Sequence, residues 1–287
     1  MAIDPSVAVV INWPGIVTRR FDSTTFTFKE TPYEDAKEEA TKRQNELREW
    51  VAAARHYAQA KGADGSRAGA DQKLAALAAC LEGRKPVIIQ ADSKRDIEAA
   101  IAFAGENGLT MILAGGAEAW KVKETLAEKK IPVILSRTQS LPRQEDDPYD
   151  RPYSNPATLC EAGVRIAFAS GAGGGGGGGS GAHSSRTIPY EAAMGTGFGL
   201  SQEDAMKALT VWPAEIFGVA DRLGTLAAGK IANVIVTDGS PLEITTSVRH
   251  VIIAGREIST NNKHESLYQK YSSRPHRHPG SATASRP

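Results

Sequence analysis

Six histidines, two cysteines and four tryptophans among 287 residues leave this chain poor in the side chains from which metal and redox centres are built. Cys80 and Cys160 each lie in an apolar, helix-like context, LAALAACLEG and ATLCEAG. Two such thiols exclude a disulfide scaffold and fit a reduced, intracellular protein with buried sulfurs. No apolar run approaches the roughly 20 residues that cross a bilayer. The start, MAIDPSVAVVINWPG, lacks the basic flank and long apolar run of a secretion signal, so the expected location is cytoplasmic. A net charge of +1 gives no field that would gather nucleic acid. No His-x-His pair precedes residue 276, and His276-Arg277-His278 lies in the tail.

What is present is an ordinary globular composition, 41% hydrophobic and 23% charged, on a chain long enough to bury a core. Residues 7–13 form a β-branched run closed by Pro14-Gly15, and residues 16–32 alternate as an exposed hairpin or extended loop. Between Pro32 and Lys61, Ala36, Ala40, Leu47, Val51, Ala54 and Ala58 fall near one helical face. GADGSRAGAD (62–71) reads as a linker, and Leu74–Leu81 as a short apolar helix.

Strands then alternate with helices: 86–90, 110–114, 131–135 and 164–169. Ser93 and Gly108 are placed to cap the helix between the first two. Such alternation implies parallel pairing with right-handed crossovers. A long polar loop with Pro142, Pro148, Pro152 and Pro156 precedes a helix expected at Ala157–Ala162. Helices follow around Tyr190–Gly197 and Ser201–Leu209, Trp212-Pro213 is expected to break the chain, and Gly224-Thr-Leu, 233–237 and 248–253 read as strands. The chain therefore divides into four segments, 1–83 (strand, long helix, linker), 84–212 (α/β), 213–271 (β) and a tail at 272–287 expected to be disordered.

The last apolar strand runs into Ser170-Gly171-Ala172 and seven glycines, 173–179. The tract lacks a Gly-Lys-Ser/Thr ending, so it reads as a flexible lid or a stretch standing in for other residues, not as a phosphate cradle.

The segment SQEDAMKALTVWPAEIFGVADRLGTLAAGKIANVIVTDGSPLEITTSVRHVIIAGREI resembles the C-terminal portion of the amidohydrolase superfamily, in its imidazolonepropionase- and dihydroorotase-like members. PVIIQADSKRDI, MILAGGAEAWKV, IPVILSRTQSLPRQEDDPYD and GVRIAFASG look like the last four strand-to-loop units of that family's barrel. The resemblance implies a partial (β/α)8 TIM-type barrel of four or five parallel strands with a small C-terminal β-sandwich portion. It also implies departures. The family's N-terminal metal-binding part is missing, Gln90 stands at the fifth-strand histidine position, Gly115 at the sixth, and Ala172 where the eighth-strand aspartate belongs.

Hydrolysis in this family needs a divalent metal to lower the pKa of water and a general base within reach of it. Zinc takes about three protein ligands from His, Cys, Asp or Glu plus an open position. The strand ends offer Asp92, Glu118 and His183, none at the spacing of a chelating pair. Each has a plainer use: Asp92 as a helix cap, Glu118 as a first-turn acid, His183 as a solvated loop residue. The resemblance gives Arg186 two roles, binding a substrate carboxylate or fixing its loop.

Half a barrel leaves two parallel edge strands and an open interior, surfaces that demand cover. A protein partner is therefore expected, either a separately encoded N-terminal half or a second copy. Two functions follow. One is an amidohydrolase-like chain that has lost its metal ligands and serves structure or assembly, with no cofactor. The other is a metal-dependent hydrolase of C–N bonds, in which a partner completes a zinc site and Asp92 or His183 contributes.

Overall fold

The computed structural model describes residues 6–63, 71–170 and 185–273. Two compact units divide it, Met1–Lys230 with Leu242–Ile244, and Ile231–Pro241 with Thr245–Pro287.

The first unit is built on five parallel strands: β1 (Val9–Asn12), β4 (Val87–Ala91), β5 (Met111–Gly115), β6 (Val133–Leu135) and β7 (Ile166–Phe168). Their order in the sheet is β1-β4-β5-β6-β7, every neighbouring pair parallel. Residues 7–13 thus supply a fifth strand to the expected four. The strands β2 (Arg19–Asp22) and β3 (Thr27–Glu30) pair antiparallel as a separate hairpin.

Alternation sorts the sheet into two faces. On one face Ile11, Val87, Ile89, Met111, Leu113, Val133, Leu135, Ile166 and Phe168 enter one continuous core. Seven helices contribute to its cover: α1 (Tyr33–Ala63), α2 (Gln72–Leu81), α3 (Lys94–Asn107), α4 (Lys123–Glu128), α5 (Arg151–Glu161), α6 (Ile188–Thr196) and α7 (Gln202–Leu209). The other face is the inside of the arc. Its Ile112, Ala114, Ile134 and Ala167 are buried as a second, smaller cluster, with Ile216 of α8 (Val211–Ile216) and Phe217 packed against it. At β1 that face is open: Val10 is 61% exposed.

Local chemistry sets the helix ends. Ser93 Oγ accepts from the Asp96 amide at 3.2 Å, and Gly108 closes α3 in the left-handed region at φ 67°. Asp71 Oδ1 accepts from the amides of Lys73 and Leu74 to start α2. Two expectations about proline need correction. The fifth helix begins at Arg151 rather than at residue 157, taking Pro152 into its first turn and Pro156 into its interior. First-turn proline loses no hydrogen bond, and full burial of Pro156 offsets the bond it removes. Pro213 likewise sits in the first turn of α8 instead of breaking the chain.

The second unit carries a three-stranded antiparallel sheet, order β10-β9-β8, from β8 (Val234–Thr237), β9 (Val248–Ile253) and β10 (Arg256–Ile258). Gly224-Thr-Leu is not a strand. Gly224 has φ +94°, and a Cβ there would lie 2.8 Å from that of Ala214, so the chain turns closely against α8. A helix not read from the sequence, α9 (Lys263–Ser272), follows, with Asn262 capping the amides of His264 and Glu265.

Candidate functional site

In a strand–helix barrel the reactive groups gather at the C-terminal ends of the strands. Register fixes what the inner face presents there. One row of paired positions reads Asn12, Gln90, Ala114, Ile134 and Ala167 across the five strands. Two carboxamides and three alkyl groups therefore stand at the mouth of the arc.

On the helix-facing side of the same strand ends is a cavity of about 220 Å³. The loops after β4, β5 and β6 and the first turns of α5 enclose it. Asp92 is one of its two acids: burial pushes the carboxyl up, and the charge of Arg143 with the Ala117 amide, 3.4 Å from Oδ1, pulls it partly back. Gly115 makes room for that carboxylate. Its φ is +90°, and a Cβ there would come 2.5 Å from Asp92 Oδ1. Trp120, Arg137, Arg143, Arg151 and Asn155 complete the polar wall.

Neighbouring contacts hold these loops. Glu118, 3% exposed, accepts the Lys94 amide at 2.6 Å and Gln144 Nε2 at 3.2 Å. Lys121 bridges it to Asp147, at 3.4 and 2.7 Å. Glu191 of α6 accepts from the Thr138 amide and hydroxyl at 2.8 and 2.7 Å and from the Gln139 amide, which clamps the loop after β6.

The structure revises several expected roles. Asp92 does not cap α3; Ser93 Oγ does that, and the Asp92 side chain turns toward the β5 loop. Glu118 serves a helix N-terminus, but that of the neighbouring α3 instead of its own turn, because the β4 and β5 loops lie side by side. Arg186 sits exposed in the 3-10 turn Ser185–Thr187 and is not among the cavity's lining residues. His183 and Ala172, with the glycine tract, lie outside the described residues, as do His276 and His278. Asp92 and Gly115 are brought together, whereas Gln90 faces the other side of the sheet. The arginines of the β6 loop were missed as site residues. Their signal was in plain sight, three guanidiniums in SRTQSLPRQEDDPYDR directly after a strand.

Five parallel strands covered on one face by helices, with loops converging at their C-terminal ends, define a partial (β/α)8 barrel. Residues 190–258 match the model of an amidohydrolase family. The chain is similar to an amidohydrolase from Thermotoga maritima MSB8, at 28% identity and a TM-score of 0.64, over 75% of this chain and 55% of that one. It is also 33% identical over 72 residues to the amidohydrolase tasK of Hapsidospora irregularis, covering 25% of this chain and 7% of the relative. These matches support the amidohydrolase superfamily as the group this chain resembles. It spans about half the length of the solved relative and a small part of the curated one.

Members of this superfamily generally use a metal such as zinc, so the residues present must be tested against one. Carboxamide and alkyl groups at Asn12, Gln90, Ala114, Ile134 and Ala167 are not zinc ligands. Among the described residues no group of three or more His, Cys, Asp or Glu could hold a metal ion. This inner-face row does not fit the ion.

Proposed function

We propose that this chain is an amidohydrolase-fold subunit with a structural or assembly role, having no metal-holding set of its own, and that a protein partner covers its open edge. The observation that carries the reading is the inner-face row Asn12–Gln90–Ala114–Ile134–Ala167. Gln90 in that row stands where the resemblance expects the fifth-strand histidine, and a carboxamide does not fix a cation and lower the pKa of its water. The measurement is elemental analysis of the full chain after equilibration with zinc and dialysis. Well below one equivalent is expected, together with no turnover of cyclic amides. One tightly held zinc per chain overturns the proposal.

Asp92 favours a second reading, in which a partner completes a C–N hydrolase. It is a half-buried carboxylate at a strand end, its pKa raised by desolvation. Zinc bound and cyclic amides cleaved only after the native partner is added would favour it.

A further inference from the structure

A surface hairpin ordinarily turns its apolar side toward the protein. The β2–β3 hairpin does the reverse. Its register pairs Arg19 with Glu30, Arg20 with Lys29, Phe21 with Phe28 and Asp22 with Thr27. Alternation therefore puts Arg20, Asp22, Thr27 and Lys29 on one face and Arg19, Phe21, Phe28 and Glu30 on the other. The polar face is the fastened one: Arg20 reaches Glu39 of α1 at 3.5 Å, and Lys29 holds Asp22 at 2.7 Å. The apolar face looks outward. Phe21 and Phe28 meet edge-on with ring centroids 5.3 Å apart, and Phe26 adds a third ring 6.1 Å from Phe21. None of the three packs on either buried cluster of the first unit. Clustered rings left about half or more in solvent mark an interaction surface.

Charge decides what covers it. Arg19 lies over the Phe28 ring, 4.2 Å from its centroid, and Glu30 stands beside it across the ladder. Neither has an ion-pair partner among the described residues. One cation and one anion side by side, next to apolar rings, are self-complementary under a two-fold axis. An axis running along the strands, between two copies stacked face to face, sets β2 of one over β3 of the other. Arg19 then meets the partner's Glu30, and Phe21 meets the partner's Phe28. An anionic membrane fits less well, because Arg19 and Glu30 cancel and the first turn of α1, directly after the hairpin, carries Glu34 and Asp35.

Resting on the reading that a partner covers the open β1 edge, which the hairpin follows in the chain, we infer that this partner is a second copy, seated on the β2–β3 hairpin through its phenylalanine face and reciprocal Arg19–Glu30 pairs. The three rings expose roughly 350 Å² per copy, taking about 200 Å² for a whole phenylalanine. That is less than half of the roughly 800 Å² a side of a standard interface, so dissociation in the micromolar range is expected.

Sedimentation equilibrium of the full chain across micromolar concentrations tests this. A monomer–dimer equilibrium is expected, weakened about tenfold or more by Phe28→Ser. Arg19→Glu and Glu30→Arg each set like charges against one another and should weaken it about fivefold, whereas the two together should recover the wild-type value to within about twofold. All three positions are exposed, so the variants are expected to keep the wild-type circular dichroism. A chain that stays monomeric throughout, a dimer indifferent to Phe28→Ser, or a double swap no better than the single changes overturns this docking face. So does a monomer that binds phosphatidylserine vesicles through the same rings. The partner reading outlives those results if a different chain still seats on the β1 edge, and fails separately if Val10→Lys leaves every association of the chain unchanged.

Discussion

At the scale of single residues, position along the chain proved easier to read than direction of the side chain. Asp92 stands at a strand end, where the sequence put it, yet its carboxylate goes to the Ala117 amide because Ser93 already supplies the α3 cap. Burial raises the pKa of Asp92, so the folded chain holds its proton more tightly than the unfolded chain does. Stability contributed here therefore falls as pH rises from the ordinary carboxylate range through the raised value. Asp92→Asn keeps an acceptor for the Ala117 amide and removes the ionisation. Its thermal midpoint is expected above that of the wild type at pH 7, with the gap closing below about pH 4. A gap that is constant with pH would mean that the ionised carboxylate is not disfavoured in the fold.

Elements were legible where local and tertiary preferences agree. The strands at 86–90, 110–114, 131–135 and 164–169 are continuous apolar runs because both faces of β5, β6 and β7 are buried, and Ser93, Gly108 and Ser201 mark helix ends by their own chemistry. Misreadings came where tertiary burial overrode a local signal. Pro156 sits inside α5 fully buried, and the segment at 224–226 has strand-like composition without a strand neighbour among the described residues. Contacts between loops were illegible for a different reason: they join residues far apart in sequence. Glu118 is the clearest case, tying α3 to the β5 loop across 24 positions. Glu118→Ala leaves the Lys94 amide and one side of Lys121 without a partner, a loss of about 1–3 kcal/mol. Urea denaturation should show a lower midpoint with an unchanged slope, and Glu118→Gln should recover part of it.

At the scale of the molecule, the inner face of the five-strand arc is covered at β5–β7 and open at β1. Ile112, Ala114, Ile134 and Ala167 are buried on the inner face, while Val10 in line with Ile88 and Ile112 is 61% exposed. Among the described residues β1 and β7 each have one strand neighbour, and unpaired strand edges are templates for pairing. The nearby stretch of sequence is apolar as well: Phe21, Phe26 and Phe28 of the β2–β3 hairpin are 47%, 80% and 56% exposed. A partner of either kind, a second copy or a chain completing the barrel, would have to cover this edge. Val10→Lys sets a charge there without touching the core, since most of Val10 is already in solvent. Light scattering coupled to size exclusion is expected to show a wild-type species heavier than one 30.5 kDa chain, alone or with its native partner, and the variant reverting to one chain. Compared with wild type diluted to a single chain, the variant should lose no more than about 0.5 kcal/mol of stability. If the wild type is a lone chain under native conditions, or the variant associates as before, the β1 edge is not where the barrel is completed.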